Sequence, residues 1–211
     1  HLASIKLTKN ELKVQKDALK MYRRYLPTLT LKKQQLQVEI YAIRSKAAAV
    51  RKEREVLEKG FDDWIAVFSE QNAFPDHVVT VSNIRKGEGN IAGVTIPTFE
   101  GADFTRGDYD LYETPLWVDI AAYHMEKALS LDLEAEVLEE QVRLLEAELH
   151  ATSQRVNLFE KVKIPETEEN IRKISIYLAD QQVNAVVRSK IAKRKIAARS
   201  SASSEGQVVS L

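Results

Sequence analysis

Apolar residues recur at alternating spacings of three and four from near the start of the chain. The positions are Ile5, Thr8, Leu12, Gln15, Leu19, Tyr22, Leu26, Leu29, Lys33, Leu36, Ile40, Ile43, Ala47, Val50, Arg54, Leu57, Phe61, Trp64 and Phe68. This stripe spans about nine heptads without a phase slip, the signature of a coiled-coil helix. Only four of its members are polar. A second stripe runs through Trp117, Ala121, His124, Ala128, Leu131, Ala135, Leu138, Val142, Leu145, Leu149, Thr152, Val156 and Phe159. Pro165 ends that phase, and Ile171, Ile174 and Leu178 restart it. A more polar continuation follows through Ala185, Val187 and Ile191.

Local signals bound these helices. Thr8-Lys9-Asn10-Glu11 reads as a capping box. Pro27 lacks a backbone donor and predicts a kink, and Gly60 is a weaker interruption. Asn72-Ala73-Phe74-Pro75 predicts a stop, and Thr114-Pro115 reads as an N-cap followed by proline at the first helical position. Between them, residues 77–84 alternate and are β-branched, residues 85–90 are turn material, and residues 91–96 form a second strand. Residues 97–113 read as loop.

The expected architecture is mostly α. Two long helices, 8–73 and 114–198, form an antiparallel coiled coil, with a β-hairpin and loop insert at 74–113 and a disordered tail at 199–211. The second helix, measured from 115, would be roughly 125 Å long, too long to stand without a partner. The predicted seam includes Leu26, Leu29, Leu36, Ile40, Ile43, Val50 and Leu57, facing Leu138, Val142, Leu145, Leu149, Val156 and Phe159. Pairing Phe68 with Trp117 sets the register. It brings Pro27 and Pro165 to similar heights, where a bend is expected. The insert then lies at the end away from the termini.

Composition adds charge segregation and removes several chemistries. The chain has 211 residues and no cysteine, so disulfides and thiolate metal sites are excluded. Formal net charge is zero, but residues 1–59 carry 15 basic against 6 acidic side chains. Residues 60–170 carry 8 against 23, and residues 171–211 carry 8 against 2. In an antiparallel pair, both basic segments meet at the end holding the termini, which polarises the molecule. Apolar runs fall short of a bilayer span and no signal peptide is visible, so a cytosolic setting is expected.

No catalytic, cofactor or metal constellation emerges. Gly87-Glu88-Gly89-Asn90-Ile91-Ala92-Gly93 departs from a dinucleotide fingerprint in spacing and context and reads as hairpin turn. The acid pairs Asp62-Asp63, Glu139-Glu140 and Glu168-Glu169 diverge by about 100° on a helix and read as solvated faces. Asp103, Asp108 and Asp110 fit loop solubility better than cation binding. His1, His77, His124 and His150 lack metal-ligand spacing. Lys33 and Arg54 read as register-fixing seam residues, beside acids such as Asp132 or Glu136. The basic run Arg188, Lys190, Lys193, Arg194, Lys195 and Arg199 suits nucleic acid, an acidic protein socket, or a plain solvated helix end.

Three stretches carry a family resemblance. The first is Lys6-Leu7-Thr8-Lys9-Asn10-Glu11-Leu12-Lys13, continuing to Leu26-Pro27-Thr28-Leu29 and Leu36. The second is the central hairpin. The third is Gln154-Arg155-Val156-Asn157-Leu158-Phe159-Glu160-Lys161-Val162-Lys163-Ile164-Pro165 with Glu168-Glu169-Asn170-Ile171-Arg172. Together they resemble the D subunits of the V-type (A/V-type) ATPases, the central rotor axle, and look closest to bacterial members.

The resemblance implies a non-catalytic rotor stalk without cofactor or metal. It implies three partners: the hexamer of catalytic and nucleotide-binding subunits, the small F subunit, and the subunit capping the membrane ring. Neither nucleic acid nor membrane insertion is implied, and the setting is peripheral, on the cytoplasmic side of a membrane. The expected hexamer-bore contacts are Arg188, Lys190, Lys193, Arg194, Lys195 and Arg199. The expected partner contacts on the hairpin are Val79, Val81, Ile84, Ile91, Val94 and Ile96, and deleting 85–100 should spare the coiled coil. A non-rotary coiled-coil scaffold or tether is the alternative.

Overall fold

The first apolar stripe folds as a single helix, α1 (Lys9–Phe68). In the computed structural model, residues 4–68, 78–107 and 117–208 are described. Thr8 starts α1 with one half of the predicted capping box: the Glu11 amide donates to Thr8 Oγ1 at 3.1 Å. The Glu11 carboxylate accepts from Gln15 Nε2, one turn on, at 3.0 Å. Pro27 lies inside α1 without ending it. It is exposed, so water can reach the carbonyl that its missing N–H leaves unpaired. Gly60 is likewise passed through. The predicted stop at 72–75, the cap at 114–115 and the side chains of Phe68 and Trp117 lie outside what is described.

The hairpin is longer than the sequence predicts, and its turn lies elsewhere. Strands β1 (Val79–Ile91) and β2 (Val94–Arg106) pair antiparallel, with Ile91 opposite Val94. Residues 85–90, read as turn, are strand. Residues 97–106, read as loop, are strand as well. The chain reverses at Ala92-Gly93, where φ is 51° and 82°. Two consecutive positive φ values define the turn whose twist matches paired strands. Asn90 Oδ1 accepts from the Gly93 amide at 3.1 Å and closes it.

The second apolar stripe forms α2 (Trp117–Leu158), then a π-helical turn at Phe159–Lys163, then α3 (Ile164–Val208). Residues 199–208, expected to be disordered, are helical to Val208. Their serines are satisfied locally: Ser201 Oγ donates to the Ala198 carbonyl and Ser204 Oγ to that of Ser201.

The chain divides into two compact units, Leu29–Gln154 and His1–Thr28 with Arg155–Leu211. In the first, Leu36, Ile40, Ile43, Ala47 and Val50 of α1 meet Leu131, Ala135, Leu138, Val142 and Leu145 of α2 in one core. Each fully buried leucine there contributes about 1.5–3 kcal/mol. Leu57 and Leu149 pack against this core partly buried, and Leu29 is half-buried. In the second unit, Tyr22 packs at a tilt against Phe159 with ring centroids 5.0 Å apart. Val156 and Ile174 are buried there, and Leu26 is half-buried. The Phe68–Trp117 register sets Gln15 opposite residue 170, and Asn170 Nδ2 donates to Gln15 Oε1 at 3.3 Å.

The hairpin lies back along the helix pair of its own unit. Its base joins α2 through Val78, buried with Val118 and Ala122. The Gly107 amide donates to the Val78 carbonyl at 2.8 Å, and Arg106 Nε reaches Glu126 at 3.0 Å. Near the tip, Ile96 enters the main core, with Ile91, Ala92 and Val94 packed against it. Gln141 Nε2 donates to the Pro97 carbonyl at 2.7 Å. From Ala122 to Gln141 is roughly 28 Å along α2. Deleting 85–100 would remove Ile96 from that pair's core and Ile91 and Val94 from its edge, so the helix pair is expected to lose stability rather than be spared.

Candidate functional site

Each helix face is either covered by the chain itself or left open. On α1, basic side chains find acidic partners on α2. Lys32 Nζ donates to Glu148 at 2.7 Å, and Arg44 pairs with Glu146. Arg51 forks onto Glu139 at 2.9 and 3.1 Å and also reaches Asp132. Hydrogen bonding to Arg51 holds the Glu139 carboxyl below the usual glutamate range; desolvation opposes it and the Arg51 charge adds to it. Arg54, on the seam, reaches Asp132 at 3.1 Å and also pairs with Glu58. Four of the eight basic side chains that α1 contributes to this unit are thus matched by acids of α2.

The C-terminal half of α3 differs. An open groove lined by Lys9, Leu12, Leu178 and Gln182 marks where α1 begins beside it. Beyond it, every residue from 181 to 207 is exposed. That is about 40 Å of helix with no cover. Val183, Val187 and Ile191, four residues apart, share one face and are 47–60% exposed. Lys190 and Arg194, seven residues from Val183 and Val187, lie within that same face; Arg188, Lys195 and Arg199 line a second face, and Lys193 is exposed between the two. None of these six basic side chains forms an ion pair among the described residues. No acid occurs between 181 and 204. Basic groups around the whole circumference suit an enclosing acidic socket better than the one-sided contact that nucleic acid makes.

The hairpin residues expected to meet a partner divide. Ile96 is 3% exposed, and Ile91 and Val94 pack on the same core, so the chain's own helices cover them. Val79 packs on the Val78 cluster and Val81 is half-buried. Ile84 is exposed and borders a groove against α2, lined also by Lys86, Pro97, Leu133, Val137 and Glu140. Nothing in the sequence signals Gln141, which ties the tip to α2.

The remaining candidates take structural places. His124 sits beside Phe61, ring centroids 5.9 Å apart, with its Nδ1 buried and unpaired. His150 contacts Gln154. Asp103 lies 3.6 Å from Arg85, while Asp108 and Asp110 fall outside the described residues. Glu140, Glu168 and Glu169 pair with Arg143, Arg23 and Arg172. Among the described residues no three acidic or histidine side chains gather as a metal site, and no helix is long and apolar enough to cross a membrane.

Comparison with known proteins agrees with this arrangement. The family model for the ATP synthase D subunit matches residues 11–194. The V-type ATP synthase D subunit of Borreliella burgdorferi is 47% identical over 195 residues, covering 92% of this chain and 96% of that protein. The V-type ATP synthase D subunit of Chlamydia felis is 38% identical, covering 93% and 96%. That of Chlamydia muridarum is 36% identical, covering 92% and 97%. With most of its length matched, including both helices and the hairpin between them, the chain belongs to the family of ATP synthase D subunits.

Proposed function

We propose that the chain is the central rotor stalk of a V-type ATPase, carrying torque between the ATP-hydrolysing hexamer and the membrane ring that moves ions. It has no catalytic residue of its own in this role. It is a peripheral component on the cytoplasmic side of the membrane. The hexamer, the small F subunit and the cap of the membrane ring are its partners.

The observation that carries this reading is the uncovered, basic, partly apolar end of α3. An apolar line flanked by unpaired cations is unfavourable in water and favourable inside a partly acidic, partly greasy sleeve. A stalk also needs stiffness, and a pair of helices with a buried seam and cross-helix ion pairs resists twisting better than one helix.

The test is a triple charge reversal, Arg188→Glu, Lys193→Glu and Arg194→Glu, reconstituted with the catalytic and nucleotide-binding subunits. These side chains have no internal ion-pair partner, so helical content and melting should stay unchanged. Assembly, or ATPase activity coupled to rotation, should fall at least tenfold. Unchanged assembly and rotation would sink the proposal and favour a non-rotary scaffold.

A further inference from the structure

The seam of α2 and α3 contains one residue too many for an unbroken coiled coil. Before the π turn, Thr152, Val156 and Phe159 face inward at spacings of four and three. Continuing that pattern would bring 163, 166, 170, 173, 177 and 180 inward. Residues 166, 173, 177 and 180 are instead exposed. Thr167 and Ile174 are buried and Ile171 and Leu178 half-buried, each shifted by one, while Lys163 and Asn170 of the unshifted pattern are only half-buried. In a continuous α-helix, one surplus residue turns the seam by about 100°, enough to present Lys173 and Tyr177 to α1.

The π turn lies where this shift occurs. The Ile164 N–H donates to the Phe159 carbonyl, five residues back, so this turn holds one residue more than an α turn. Pro165 fixes the place. It can donate neither to Lys161, as in an α turn, nor to Glu160, as in a π turn. Glu160, Lys161 and Val162 are all exposed, so water can reach carbonyls left over there. Thr167 Oγ1 donates to the Lys163 carbonyl at 2.6 Å on the far side.

We propose that the π turn at Phe159–Lys163 is a phase-correcting device. It takes up one surplus residue so that α3 meets α1 with Ile174 and Leu178, and it thereby sets which way the faces of the exposed end of α3 point. This does not depend on the rotor reading.

Deleting Glu160 from the full chain should leave a continuous four-three seam from Thr152 to Leu178. The variant should fold, lose the π turn, and keep or raise its urea midpoint followed by helical circular dichroism. Amide exchange across 161–164, faster in the parent chain than at the flanking seam residues 156 and 171–174, should slow at least tenfold. Deleting Glu146, within a regular stretch of α2, is the control. It throws Leu145 and Leu149 out of phase and should lower the midpoint clearly. A midpoint that falls as far for the Glu160 deletion as for the control overturns the proposal. So does exchange at 161–164 no faster in the parent chain than at its flanks.

Discussion

Gly60 and Gly93 show how one substitution can have opposite signs at two sites. A Cβ at either position would meet open space. Gly60 lies within α1, where alanine costs less conformational entropy. Gly60→Ala should therefore raise stability by about 0.5–1 kcal/mol, read as a higher melting temperature. Gly93 has φ of 82°, which an L side chain resists. Gly93→Ala should lower stability by roughly 1 kcal/mol despite the free space. Arg51 supplies a pH test. Its bond to Glu139 lowers that carboxyl below its ordinary range, so the pair stabilises the fold above the ordinary glutamate value, and the benefit is lost as pH falls through the lowered one. Arg51→Gln should reduce the acid-side loss of stability between neutral pH and pH 3. Both groups are half-exposed, so the effect should not exceed about 1 kcal/mol.

Among the elements, the helices were the most legible. Leu36, Ile40, Ile43, Ala47 and Val50 are the buried members of the first stripe, each read from spacing alone. Leu36 is fully buried, so Leu36→Ala should cost about 2–5 kcal/mol in urea unfolding. The hairpin was legible as a hairpin but not in its register. Gly87 and Gly89 resemble turn glycines, yet they sit in strand. Gly87 leaves room for the Thr98 and Glu100 side chains that cross it. Deleting 85–100 should lower the stability of the helix pair, because it removes Ile96 from its core. A variant that keeps the parent urea midpoint would show that the hairpin tip adds nothing to that core.

At the scale of the whole molecule, zero net charge conceals two different fates for basic residues. Lys32, Arg44, Arg51 and Arg54 are matched by acids on α2, whereas Arg188 to Arg199 on α3 are not. Sequence counts gave both segments the same sign, and pairing across the helices told them apart. On the rotor reading, salt should act on assembly rather than on the fold. Raising ionic strength from about 0.05 to about 0.5 M shortens the screening length severalfold and should weaken association with the hexamer, leaving helical content unchanged. Association that is indifferent to salt would mean that the apolar line through Val183, Val187 and Ile191 dominates.

Periodicity, capping and charge order are written locally along the chain. The sequence by itself therefore determined the two long helices, their seam, the start at Thr8 and the presence of a hairpin. The family resemblance rested on the same local record. Tertiary structure decided what depends on residues distant in sequence: the turn at Ala92-Gly93, the seating of Ile96 against α2, and which cations are neutralised. The π turn stands between the two. Its cause, the shift of the stripe by one residue near Pro165, was visible in the spacing. Its form was settled only by the packing of Ile174 and Leu178 beyond it against α1.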